Sequence, residues 1–324
     1  MKKYFIFFIK LLITAILIWL LFSKVDFSKF LGEIKNFSKS SFALAVLAMT
    51  GAWICNTLRW QMLLKIFRFN VSTLKLFSYN LASVFYSIAL PGGKVTGDVV
   101  RAYQVARDHS GGKEEKHQMF LLTFIDRGLG FLSLAFVTSF YFIFRHEAVG
   151  FLGKSSLIVG LAILAATIFG LGLIFTGFFD PLLKLFLKIP LAGWQKFINL
   201  LIDSLQARER GLNQLYKSFG FSIISVFIGG LSAYAVTSAF AIPVSYFTVV
   251  FFYSLAVILI IVPVTVAGIG LREGGLAYLL VQAGGDPEKS LAASLISLAV
   301  LIAIAIVGGL IELRRHFFKR VPNP

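Results

Sequence analysis

"LPGGKVTGDVVRAYQ", residues 90–104, is where an apolar run stops and charge begins. Residues 75–90 before it read as part of a membrane helix. Pro91, Gly92 and Gly93 then break that helix, because proline removes a backbone donor and glycine admits conformations other residues avoid. Lys94, Thr96, Asp98 and Arg101 follow at once. A break with charges beside it is expensive inside a bilayer. Irregular backbone is tolerated there only when it is buried in protein or lines a cavity.

The rest of the chain supports a bilayer setting. Of its 324 residues 58% are hydrophobic and only 14% charged, with a mean hydropathy of +0.85. Soluble domains carry about a quarter charged residues. Apolar runs fall at 4–22, 42–60, 118–144, 156–177, 218–240 and 290–311, and a run of about 20 residues suffices to span. The first run resembles a signal peptide, but no small-x-small cleavage site follows, so it reads as an uncleaved helix. Lys10 within it lies near a helix end and can snorkel to the interface.

A second interrupted stretch, 247–267, is closed by "VPVTVAGIGLREGG" and followed by a short apolar piece, 276–283. Pro91 and Pro263 lie about half a chain apart. The pairing predicts an all-α polytopic membrane protein: about six spans plus two broken or re-entrant helical hairpins in an inverted repeat. The chain reads as one membrane domain, 1–324. Its first half is 1–155, its second half 218–311, and its basic tail 312–324. Segment 178–217 mixes apolar residues with Lys, Asp, Arg and Glu at helical spacing, and reads as amphipathic helices on the cytoplasmic face.

Net charge is +16, yet the basic residues flank apolar runs, as anionic lipids and the positive-inside rule require. Nucleic acid is not expected. With a cytoplasmic N-terminus and both hairpins returning to the side they entered from, 21 of the 31 Lys and Arg fall inside and 7 outside. Arg59 counts among the inner cations of 59–75, and the stretch 23–41 counts as an outer loop. Both termini are then cytoplasmic, in the cell (inner) membrane.

Lys10, Arg127 and Arg272 lie in or beside apolar segments. Ionisable residues at depth usually face the bundle interior and have partners. Asp126 and Arg127 are helix neighbours about 100° apart, so each needs a partner from elsewhere. Asp98 and Arg101 share a face by their i,i+3 spacing. Helices starting after Gly93 and Gly270 would offer unpaired N–H groups to an anion, and Arg101, Arg127 and Arg272 would add forked donors suited to phosphate. Candidate binding residues are therefore Gly92, Gly93, Asp98, Arg101, Asp126, Arg127, Gly270, Arg272 and Glu273, and the six charged ones are expected to converge from different segments near mid-membrane. A buried ion pair holding helices together is the competing reading of the same charges. The sole cysteine, Cys55, excludes an intrachain disulfide, and the four histidines lack metal-ligand spacing. No cofactor or metal is expected. "GGKVTGD" lacks the ending of a phosphate-binding loop, and "GIGLREGG" lacks dinucleotide-site spacing.

"PGGKVTGDVVRAY", "DRGLG" and "PVTVAGIGLREGG", in this order, resemble the lysylphosphatidylglycerol synthase transmembrane region family, also called flippase-like domain proteins. The resemblance covers nearly the whole chain. It places Pro91, Gly92, Gly93, Gly97, Asp98, Arg101, Asp126, Arg127, Gly128, Gly270, Arg272, Glu273 and Gly274 at motif positions. Lys94-Val95-Thr96 stands where a smaller, glycine-rich run belongs. The resemblance implies translocation of a lipid; in the best-known members the cargo is an aminoacylated phospholipid made by a soluble aminoacyl-transfer domain. This chain ends at "ELRRHFFKRVPNP", so lysyltransferase activity is not expected. Expected partners are the bilayer and an anionic or zwitterionic phospholipid or a polyprenyl-phosphate-linked lipid. The alternatives are an integral membrane transferase acting on a lipid phosphate and an accessory subunit of an envelope-lipid enzyme. Head group and oligomeric state stay open.

Overall fold

The computed structural model describes residues 21–23, 25–90, 92–108, 113–144, 155–176, 211–260 and 270–318, with isolated positions at 12–14, 16, 19, 195, 198–199, 202, 265 and 268. Most of the first run 4–22 with Lys10, Pro91, Pro263, nearly all of segment 178–210 and the last six residues lie outside them. Among the described residues the structure is all-helical. The helices are α1 (Phe27–Lys35), α2 (Lys39–Ile66), α3 (Thr73–Ala89), α4 (Lys94–Asp108), α5 (Lys113–Phe144), α6 (Ser155–Phe175), α7 (Leu212–Ala239), α8 (Tyr246–Leu259), α9 (Leu271–Gln282) and α10 (Pro287–Phe318).

Five are long and apolar enough to cross a bilayer: Lys39–Ile66, Leu122–Phe144, Ser155–Phe175, Leu212–Ala239 and Pro287–His316. They match five of the six predicted spans. Their surfaces fit lipid: Ile158 on α6 is 70% exposed and Leu310 on α10 is 60% exposed, a burden for a protein surrounded by water. The polar residues instead turn inward and join helices. Ser225 Oγ donates to the Ala52 carbonyl at 3.1 Å and Ser232 Oγ to that of Ala45 at 2.8 Å, which ties α7 to α2. Hydrogen bonds between small polar residues and backbone suit helices that gain little from burying apolar surface against one another in lipid. This is an all-α, multi-pass membrane protein.

Both predicted breaks are present. α3 stops at Ala89 and α4 begins at Lys94, while α8 stops at Leu259 and α9 begins at Leu271. Each break lies between two long helices of equal length in the two halves. α2 and α7 have 28 residues each, and α5 and α10 have 32 each. The order long, short, short, long thus occurs twice, as an internal repeat requires. Two boundaries differ from the sequence reading. α7 starts at Leu212 rather than 218. The stretch 23–41 is not a plain loop, because Asp26 caps α1 by accepting from the Ser28 and Lys29 N–H groups at 2.9 and 3.2 Å.

The chain divides into two compact units. One comprises residues 1–54, 78–98 and 225–324, and the other 55–77 and 99–224. In the first, α8 packs on α9, and α9 and α1 pack on α10. Its first hairpin is anchored by glycine. A Cβ on Gly97 would overlap the Ser83 carbonyl and Ser87 Oγ, so α4 turns back tightly on α3. A Cβ on Gly308 would overlap the Leu81 carbonyl, and one on Gly309 would sit 2.9 Å from the Phe85 ring. α10 therefore crosses α3 at backbone contact, the close approach small residues permit in membranes. Gly308→Leu is expected to destabilise by about 1–3 kcal/mol or more, the cost of overpacking against backbone that cannot yield. Gly220→Leu, at a position with nothing within 4 Å, is the control. Thermal melts in detergent check the pair; equal midpoints would refute the contact. In the second unit, α5 packs along α6, with Gly160 set against Phe142 and Gly170 against Leu132.

Candidate functional site

The predicted site residues divide between the units. Gly92, Gly93, Asp98, Gly270, Arg272 and Glu273 belong to the first, and Arg101, Asp126 and Arg127 to the second. The structure brings together Arg101 with Asp126, and Arg272 with Glu273.

In the first unit the glycines do what the breaks demand. Gly92 and Gly93 have φ of 126° and 57°, and Gly268 and Gly270 have φ of 79° and 87°, values that residues with a Cβ rarely adopt. A Cβ on Gly92 would also overlap Thr96 Oγ1. Lys94-Val95-Thr96 forms the first turn of α4.

Glu273, 2% exposed, is saturated by its surroundings. Its Oε2 accepts from the Gly270 N–H at 2.8 Å and its Oε1 accepts from Arg272 Nε at 2.8 Å, while Arg272 Nη2 lies in ion-pair contact with Oε1 at 2.6 Å. Its carbonyl accepts from Ser294 Oγ at 2.8 Å, which fixes α9 to α10. The Arg272 N–H donates to the Gly268 carbonyl at 3.2 Å. The open anion seat expected at the start of α9 is thus occupied in part by the chain's own carboxylate, which complements the helix dipole from its first turn. The group left to face a ligand is the Arg272 guanidinium, whose side chain is 18% exposed. Arg272 and Glu273 pair although adjacent in sequence: at a helix start, two long side chains can fold toward the same capping position.

In the second unit Asp126, at 2% exposure, holds two arginines. Arg59 Nε donates to Oδ1 at 2.7 Å and Nη2 to Oδ2 at 3.0 Å, a two-pronged geometry; Arg101 Nη2 donates to Oδ2 at 2.9 Å. The Arg101 guanidinium lies 4.1 Å above the Trp60 ring, a cation–π contact strengthened by exclusion of water. Ser218 Oγ donates to the Arg59 carbonyl at 3.3 Å. Asp126 therefore finds partners on α2 and α4 rather than in its neighbour Arg127, as the helical geometry predicted. Asp98 and Arg127 have interaction partners too.

Arg59 is the residue the sequence reading placed wrongly. Counted there as a loop cation, it lies near the end of α2 with its side chain only 12% exposed. The only signal was indirect: Asp126, at depth, needed a cation from another helix, and nothing in the sequence says which.

A family model described as the lysylphosphatidylglycerol synthase TM region matches residues 7–309. The chain belongs to that family. A comparison with curated proteins finds no match. Within the lysylphosphatidylglycerol synthase TM family match lie both broken hairpins, both arginine–carboxylate groups and all five long helices apart from the last residues of α10.

Proposed function

We propose that this chain is a lipid translocase of the cytoplasmic membrane that carries a phosphate-bearing lipid or lipid-linked amphiphile, with both termini on the cytoplasmic side. The observation that carries the reading is Arg272. It is a guanidinium beside a helix break in a membrane chain, held in place by Glu273 yet 18% exposed. Such a fork matches a phosphate, while the lipid tails stay in the bilayer. The repeated pattern of long and broken helices supports it, because paired broken helices are the usual build of transporter binding sites. One crossing per long helix and none per hairpin would send α2 and α7 across in opposite directions. Transport fits better than chemistry on the lipid, since Asp126 and Glu273 are committed to arginines and neither is left to act as a base.

The test is translocation in proteoliposomes. Fluorescent phosphatidylglycerol, phosphatidylethanolamine and a diacylglycerol lacking phosphate are placed in one leaflet, and their arrival in the other is followed. Protein-dependent movement of a phosphate lipid, and not of diacylglycerol, is expected. Arg272→Lys keeps the charge and loses the fork. It is expected to slow movement about tenfold or more, given about 1.5–3 kcal/mol for charged hydrogen bonds, with an unchanged melting curve. No protein-dependent movement of any phosphate lipid would overturn the proposal.

A further inference from the structure

The second unit contains an arginine that its ion pair does not use up. Asp126 is already gripped by Arg101, which is 3% exposed and stacked on Trp60. Arg59 is the more exposed of its two partners, with 12% of its side chain accessible against 4% for Arg101. Arg59 spends Nε and Nη2 on Asp126. Its Nη1 makes no hydrogen bond to any described residue and faces Gly130, where an added Cβ would lie 3.0 Å away. Trp60 is fully buried, and its Nε1 has no hydrogen-bond partner. A buried donor left open in the ring that Arg101 covers is uncommon, and it makes Trp60, the chain neighbour of Arg59, a sensitive reporter on this site.

We propose that Arg59 contacts the phosphate of the ligand, a phosphate mono- or diester, through its free Nη1 edge, with Asp126 as the positioning carboxylate. The inference rests on the translocase reading for its choice of a lipid phosphate as ligand, and adds a contact residue outside the family-like motifs. Asp126 holds the guanidinium by one edge, so its remaining donor is aimed before the ligand arrives and little side-chain freedom is lost on binding. Gly130 keeps that donor uncovered. A lysine at 59 could not hold the carboxylate with two nitrogens and still present a third.

Binding at equilibrium tests this without reference to transport. The full-length chain carrying Trp19→Phe, Trp53→Phe and Trp194→Phe retains Trp60 as its only tryptophan. In detergent it is titrated with dihexanoyl phosphatidylglycerol, with dihexanoylglycerol and with inorganic phosphate, and Trp60 emission is followed. The phosphatidylglycerol is expected to give a saturable change that dihexanoylglycerol does not. Arg59→Gln should raise the half-saturating concentration about tenfold or more, as loss of a charged hydrogen bond implies. Arg59→Gln leaves Asp126 and Arg101 as a one-to-one pair, so the fold should survive. If it does not, Gly130→Ala, which crowds Nη1 without changing charge, carries the test and should raise half-saturation as well. A response to inorganic phosphate that Arg59→Gln weakens supports the same contact with a soluble anion as its source. An equal response to dihexanoylglycerol, no response to either phosphate probe, or unchanged half-saturation in folded Arg59→Gln would each overturn the inference. Binding that depends on Arg59 alongside absent translocation would reject the translocase reading and leave the contact standing.

Discussion

Asp126→Ala is expected to remove a large share of the protein's stability and to lower its melting midpoint sharply. The substitution removes the acceptor of three hydrogen bonds and strands two guanidiniums, Arg59 and Arg101, with side chains 12% and 4% exposed. Removing one partner of a buried ion pair costs about 3–5 kcal/mol, against a total stability of about 5–15 kcal/mol. Asp126→Asn should be milder, because an amide oxygen still accepts one bond. The second-site test is sharper. Adding Arg59→Gln to Asp126→Ala removes one of the stranded charges and should recover part of the loss, as coupled neighbours do in double-mutant cycles. Detergent-extracted protein is assayed by gel filtration and thermal melt. A monodisperse Asp126→Ala protein with a wild-type midpoint would refute the structural role.

Glu273→Ala should have the second-largest effect, and for two reasons acting together. It opens the Gly270 N–H, a helix-capping loss of about 0.5–2 kcal/mol, and it frees Arg272 in a buried setting, which costs more. Glu273→Gln separates them. The amide oxygen can still accept from Gly270, while the ion pair is gone. The expected order of melting temperatures is wild type, then Gln, then Ala. Arg272→Lys should leave the Gly270 bond intact and lie near wild type in stability. If Glu273→Gln and Glu273→Ala melt together, the bond to Gly270 contributes nothing measurable and the cap is incidental.

The parts of the fold that were legible in the sequence are those dictated by local chemistry. Pro91-Gly92-Gly93 and the glycines at 268 and 270 announce broken helices, since few other residues tolerate such φ values. Apolar runs announce spans because the bilayer sets their length. What was illegible depends on contacts distant in the chain. Nothing local marks Arg59 as anything but a flanking cation; only the location of Asp126 on another helix makes it a partner. The helix of 23–41 was hidden for a different reason. At 9 residues it is too short to hold by propensity alone, and needs its Asp26 cap and its packing on α10. The saturation of Glu273 was equally hidden, because sequence shows a helix start and an acidic residue but not which of the two satisfies the other.

The glycines that fold each hairpin back on itself bear on how the protein can move. Gly97 has no room to separate its side of α4 from Ser83 without losing contact along the turn, and Gly275 sits where a Cβ would lie 2.8 Å from Leu259. Interlocked surfaces of this kind shift as blocks rather than flex, since packed interiors are stiff. The positive-φ glycines at 92, 93, 268 and 270 set the direction of the chain at these turns, while the packed flanks carry the stiffness. On the translocase reading proposed above, a transport stroke would displace whole hairpins rather than bend their packed helices. Stiffening the corners would leave such a stroke unchanged, while bulk added along the hairpin flanks would stall it.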